Sequence, residues 1–121
     1  MAQKKKKISL ISWNVNGLRA AVKKEFFASF SQLDADIVAL QETKLQDSQL
    51  TVEMKNIDGY ESHWACATVK KGYSGVGIYS RLKPKRVQYG IGEPKFDDEG
   101  RILEMDFNDF IFFNVYFPNG Q

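Results

Sequence analysis

Cysteine is almost absent from this chain. Cys66 is the single thiol in 121 residues, so no internal disulfide can form. A reducing compartment therefore suits it: cytoplasm, nucleoid or a eukaryotic nucleus. Long hydrophobic runs are absent too, and no stretch approaches the roughly 20 apolar residues of a membrane span. Met1 to Lys7 is basic, but Asn14 and Asn16 interrupt the following apolar residues too early for a signal peptide. Solenoid repeats, low-complexity tracts and linkers are also missing, so the chain reads as one unit of common domain size.

What is present is ordinary in amount and uneven in arrangement. Hydrophobic residues make up 43% and charged residues 26%, as in a soluble globular protein. A chain of this length can bury roughly two-thirds of its unfolded surface. The net charge of +2 says little about partners. Its distribution says more, because Lys4 to Lys7, Lys23-Lys24, Lys70-Lys71 and Lys83 to Arg86 form separate basic clusters. Gathered on one face they would attract a phosphate backbone; scattered, they are solvated loops and helix faces. Residues 1–7 read as a basic, disordered tail with no assigned role, and residues 8–121 as the folded part.

Ile8 to Trp13 is apolar at nearly every position and reads as a strand covered on both faces. Arg19 to Leu33 predicts one helix, with Ala20, Phe26, Phe27 and Phe30 near helical spacing. Ile37 to Gln41 predicts a second buried strand, which completes a βαβ pattern. That pattern implies a parallel pair with functional loops past the strands' carboxyl ends, where Asn16 and Glu42 both fall. Beyond a short helix candidate at Leu50 to Asn56, five short runs follow: Tyr60–Ala67, Gly75–Ser80, Arg86–Ile91, Arg101–Phe107 and Ile111–Phe117. They suggest a largely antiparallel meander, with a two-residue hairpin connection at Asn108-Asp109. Ile111 to Phe117 carries large apolar residues on both alternating faces. It needs cover on two sides, and the helices of this chain can supply one.

Ala35-Asp-Ile-Val-Ala-Leu-Gln-Glu-Thr-Lys44 is the most telling stretch, an apolar run ending in an amide, a carboxylate and a lysine. By itself Glu42 is a metal ligand, a general base or a salt-bridged structural group. Its oxygens suit a hard cation such as Mg²⁺. Asn14 and Asn16 are turn formers or cleft residues, since Asn16-Gly17 is a strong turn dipeptide. Gly72-Tyr-Ser-Gly-Val-Gly77 is glycine-rich but precedes a strand, so it is not a nucleotide-binding loop. Tyr73 beside Lys70 and Lys71 fits either a core edge or contact with sugar and phosphate. Tyr116 is core, or a packed ring whose hydroxyl reaches a cleft.

Trp13 through Ala20, Gln41-Glu42-Thr43-Lys44, Gly72 through Gly77 and Tyr116-Phe-Pro-Asn119 together resemble the exonuclease III / apurinic-apyrimidinic endonuclease family. These are DNA-repair phosphodiesterases of the endonuclease/exonuclease/phosphatase superfamily. The resemblance implies that Glu42 holds the catalytic Mg²⁺ (Mn²⁺ as substitute), assisted by Asn16, which is aspartate in some members. It implies that Tyr116 and Asn14 shape the active site and that Asn119 contacts phosphate. Arg19, Ala20, Lys24 and Tyr73 would face DNA. Arg101 matches as well and reads as a structural ion-pair residue, whereas His63 and Cys66 match no role. The implied partner is double-stranded DNA with abasic sites or 3′ ends, cut 5′ to the abasic site and trimmed at 3′ ends, with no membrane involved.

The family's Gly-Asp-x-Asn motif, a later aspartate and a Ser-Asp-His do not occur in these 121 residues. The resemblance therefore implies the amino-terminal half of a four-layer α/β sandwich: a mixed, mostly antiparallel sheet with helices on its outer face. From this we expect no substantial hydrolysis by the chain alone, and self-association through an uncovered sheet face. Two other readings stand beside it. One is a lipid or inositol phosphate phosphodiesterase of the same superfamily, against which the neighbours of Glu42 and Tyr116 argue. The other is a non-catalytic nucleic-acid-binding or assembly module.

Overall fold

A computed structural model describes residues 7–68, 70–93 and 98–117. The first strand, β1 (Leu10–Asn14), alternates half-buried Ile11 and Trp13 with exposed Leu10, Ser12 and Asn14. Two helices follow, α1 (Leu18–Lys23) and α2 (Phe26–Leu33), and lead into β2 (Ile37–Gln41). The strands β1 and β2 pair in parallel from Leu10↔Ile37 to Asn14↔Gln41. Both carboxyl ends thus open at one edge, as the βαβ spacing predicts. Past a 3₁₀ turn at Asp47–Gln49, the short α3 (Val52–Lys55) is capped by Thr51, whose hydroxyl accepts from the Met54 N–H at 3.1 Å. The strands β3 (Glu61–Ala65) and β4 (Val76–Ser80) complete a four-stranded mixed sheet in the order β1-β2-β4-β3.

The helix expected across residues 19–33 is broken in two. Glu25 takes a left-handed conformation (φ 65°), which turns the chain so that Phe26 and Phe30 both enter the core. Phe26 then stacks on Trp13 at 5.0 Å between ring centroids, and Phe30 meets Tyr60 and Tyr79 edge-on. Aromatic burial of this kind outweighs one left-handed residue, which costs about 1–2 kcal/mol. Leu18, Val38, Leu40, Leu45 and Met54 complete this helix-side core.

The last three strands, β5 (Arg86–Tyr89), β6 (Ile102–Asp106) and β7 (Ile111–Val115), form a second antiparallel sheet in the order β5-β6-β7. The β6–β7 connection is the expected tight hairpin, with the Phe107 N–H bonded to the Phe110 carbonyl at 2.8 Å. This sheet packs on the face of the first sheet that the helices leave open, joining Ile37, Val76 and Ile78 to Leu103, Met105 and Phe107. The fold is thus α/β, with a mixed sheet and helices on its outer face; of the five runs expected to form one meander, β3 and β4 join the first sheet and only β5, β6 and β7 make a second. The first sheet, and no helix, covers the inner face of β7. Its outer face carries the exposed apolar residues, Ile111 at 53% and Phe113 at 52% exposure. Sequence patterning sees two apolar faces on β7 but not which layer meets each.

Candidate active site

Five chain segments are knitted together at the sheet edge where β1 and β2 end. The Gly17 and Leu18 N–H groups donate to the Glu42 and Thr43 carbonyls at 2.7 and 2.9 Å. The Thr43 and Lys44 N–H groups donate to the Gly75 and Ser74 carbonyls at 3.1 and 2.8 Å, and the Gly75 N–H reaches Gly100 at 3.0 Å. The Tyr116 N–H closes the belt on the Arg101 carbonyl at 2.8 Å. These bonds occupy backbone groups that loops would otherwise leave to water, and they fix the side chains the loops carry.

The belt demands unusual backbone. Asn16, Glu42, Lys44 and Ser74 all have φ between 49° and 56°. Each left-handed residue other than glycine costs about 1–2 kcal/mol, and such strain persists where the surroundings over-determine it, commonly at functional sites. Gly75, at φ 91°, lies so close to the Thr43 side chain that a methyl group there would sit 2.2 Å from its hydroxyl.

Glu42, half-buried, accepts the Tyr116 hydroxyl at 2.7 Å on one carboxylate oxygen. That bond, burial and the Glu42 charge push the Tyr116 phenol up to about 12, so at neutral pH it is a proton-bearing donor. Asn14 closes an Asx turn by accepting the Asn16 N–H at 3.0 Å, and Asn16 in turn accepts the Lys44 ammonium at 2.9 Å. The Tyr116–Glu42 pair and the Asn14–Asn16–Lys44 set are thus two hydrogen-bonded groups on loops that the backbone belt joins at one edge. Tyr73 lies at its flank: its hydroxyl accepts from the Arg101 guanidinium at 3.2 Å, and the Lys70 ammonium sits 4.9 Å from its ring centroid. Arg101 also pairs with Glu99, in line with its structural reading. Arg19, Ala20 and Lys24 are exposed on α1 and just past it. A cleft of about 240 Å³ has Trp13, Asn16, Ala20, Lys24 and Ser29 among its lining residues. Asn119 lies outside the described residues.

The donors at this edge, a carboxylate and an amide carbonyl, are hard oxygens of the kind Mg²⁺ takes. A carboxylate offers about four lone-pair positions and Tyr116 uses one. The Asn16 oxygen is shared with Lys44. The set fits a hard dication in kind and falls short in charge. Among the described residues no three His, Cys, Asp or Glu side chains gather as a metal site.

Two partners went unpredicted. Lys44 was visible as a residue of the Gln41–Lys44 motif, but its bond to Asn16 depends on how two loops meet. Asn114, buried at 2% exposure, bonds three groups of the first sheet. Its signal was present as a lone amide in the apolar run Ile111–Phe117, because a buried amide needs partners.

The model of the endonuclease/exonuclease/phosphatase family matches residues 11–120, and the chain belongs to that family. It is 45% identical over 115 residues to an exodeoxyribonuclease of Bacillus subtilis (strain 168), covering 94% of this chain and 44% of the relative. It is 40% identical over 115 residues to DNA repair nuclease APEX1 of Danio rerio, covering 94% of this chain and 37% of the relative. The solved 3′-5′ exonuclease NExo of Neisseria meningitidis superposes with a TM-score of 0.76 at 27% identity, covering 93% of this chain and 43% of its own. The chain spans less than half the length of these relatives. None of its described helices is long and apolar enough to cross a membrane.

Proposed function

We propose that this chain forms the cation-holding, DNA-facing part of a Mg²⁺-dependent phosphodiesterase site. In a complete domain that site cuts the DNA backbone 5′ to abasic sites and trims 3′ ends. The observation that carries this reading is Glu42, a left-handed carboxylate on a sheet edge, held by the Tyr116 hydroxyl at 2.7 Å.

Glu42 and Asn16 would hold the metal, Mg²⁺ with Mn²⁺ as substitute. When bound, the ion polarises a phosphoryl oxygen and offsets charge on the leaving group. The chain's own groups do the rest. The Tyr116 hydroxyl aims the Glu42 carboxylate, while Asn14 holds the turn that presents Asn16. The Lys44 ammonium supplies a fixed positive charge beside the reacting phosphate. Arg19, Ala20 and Lys24 receive the DNA backbone across the cleft, Tyr73 takes sugar and phosphate on the other flank, and Asn119 contacts phosphate.

Among the described residues Glu42 is the carboxylate this edge presents, and one carboxylate cannot orient and deprotonate a water as well as hold the cation. The 121-residue chain alone therefore does not hydrolyse DNA at a useful rate. Its outer apolar face, centred on Ile111 and Phe113, drives self-association in water. The shortage of acidic ligands also favours a second reading, a nucleic-acid-binding or assembly module without catalysis.

The deciding experiment grafts residues 8–121 onto the remainder of the Bacillus subtilis exodeoxyribonuclease and assays an abasic-site duplex. Cation-dependent cleavage that Glu42→Ala abolishes supports the phosphodiesterase reading. Duplex binding with a strong salt slope, but no cleavage in Mg²⁺, supports the module. Cleavage by the 121-residue chain alone would overturn the expectation of inactivity.

A further inference from the structure

We infer that Asn114 is a positioning residue: its side-chain amide, locked across the two sheets, sets the Tyr116–Glu42 contact. Phe112, Asn114 and Tyr116 share the inward face of the β7 strand and its extension. The Asn114 amide donates to the Leu40 and Gly77 carbonyls, each at 2.9 Å. Leu40 and Gly77 are cross-strand partners in the β2–β4 pair, so one side chain spans both strands. Its carbonyl accepts from the Gln41 amide at 2.8 Å, and Gln41 in turn accepts the Ser12 hydroxyl at 3.3 Å.

The rest of this layer is apolar, built from Ile37, Val76, Ile78, Leu103 and Met105. Packing alone gives no reason for an amide there, since a small apolar side chain would occupy the space without desolvating polar atoms. Apolar contact is also non-directional, so it leaves the sheets free to slide. Three hydrogen bonds remove that freedom. The latch lies one residue before Glu42 and two residues, about 7 Å of strand, before Tyr116. Through Ser12 it also reaches β1, the strand that ends in Asn14. Asn114 therefore ties together the three strand ends that carry Asn14, Glu42 and Tyr116.

This inference rests on reading Glu42 and Tyr116 as the reacting edge, but the contact can be measured without metal or DNA. The protein is labelled with 3-fluorotyrosine, and the Tyr116 resonance is assigned by its loss in Tyr116→Phe. In the parent chain Glu42→Gln shifts that resonance. In an Asn114→Leu background the response to Glu42→Gln falls below half, and Asn114→Thr, which keeps one donor, restores most of it. The other tyrosine resonances stay dispersed and unmoved. A full response in a folded Asn114→Leu chain overturns the inference. If Asn114→Leu does not fold, Gln41→Met decides, because it removes one of the three bonds: a reduced response supports the latch and an unchanged one overturns it. Failure of the grafted domain to cleave abasic DNA would remove the functional reading and leave this result standing.

Discussion

Adding one methyl group at Gly75 probes how the Glu42 loop is held. Two costs arise in Gly75→Ala. The backbone stays at φ 91°, which disfavours alanine by about 1–2 kcal/mol. The new methyl lies 2.2 Å from the Thr43 hydroxyl and 3.4 Å from the Lys44 nitrogen. Both residues have their backbone in the hydrogen-bonded belt, so relief presses on the segment that carries Glu42. Overpacking of this kind costs about 1–3 kcal/mol. The sum, about 2–5 kcal/mol, is a large part of the 5–15 kcal/mol typical of a domain. Equilibrium urea unfolding followed by Trp13 and Trp64 fluorescence should show a midpoint lower by about 1–2 M. A second substitution separates the terms. The Thr43 hydroxyl is buried without a hydrogen-bond partner among the described residues, so Thr43→Ala alone is near neutral. In Thr43→Ala/Gly75→Ala the overlap is gone and only the backbone term remains, about 1–2 kcal/mol. A Gly75→Ala chain within about 0.5 kcal/mol of the parent, or an equal loss with and without the Thr43 hydroxyl, refutes this account.

Three further outcomes are expected. Tyr116→Phe removes the hydroxyl from Glu42; in the grafted domain kcat falls on the order of tenfold to a hundredfold with KM little changed, while a raised KM at unchanged kcat would mean a binding role. Burial, reinforced by Asp47, pushes the Cys66 thiol up to about 12, and the raised value keeps the neutral thiol favoured until pH climbs through it. Iodoacetamide labelling at pH 8 should then run about a thousandfold slower than for an ordinary thiol, and an inflection near pH 9 would contradict that environment. Phe113→Lys places a cation opposite Glu104, its cross-strand partner on the exposed face, so sedimentation should show self-association lost; a monodisperse monomer in the parent chain would refute the association itself.

Much of the site was legible because β1 and β2 announce themselves. Each is an apolar run that stops abruptly, Trp13 before Asn14 and Leu40 before Gln41-Glu42, and a βαβ crossover brings two such ends together. Tyr116 was legible as the polar end of an apolar strand. What stayed hidden depends on non-local geometry. Nothing in Lys23-Lys24-Glu25 carries the glycine or proline that marks a helix break; the break comes from where Phe26 and Phe30 must pack. The strands β5, β6 and β7 read correctly as a meander, yet their alternation cannot say whether they extend the first sheet or cover it. The Lys44–Asn16 bond and the three bonds of Asn114 likewise appear only once two segments are placed side by side.

The proposed role of Glu42 is to present its carboxylate to a hard cation, and paramagnetic Mn²⁺ tests it on the 121-residue chain without DNA. Saturable broadening of the Gly17, Leu18 and Thr43 amide signals, competed by Mg²⁺ and abolished in Glu42→Ala, is the predicted result. Broadening that survives Glu42→Ala, or that centres elsewhere on the fold, would contradict it.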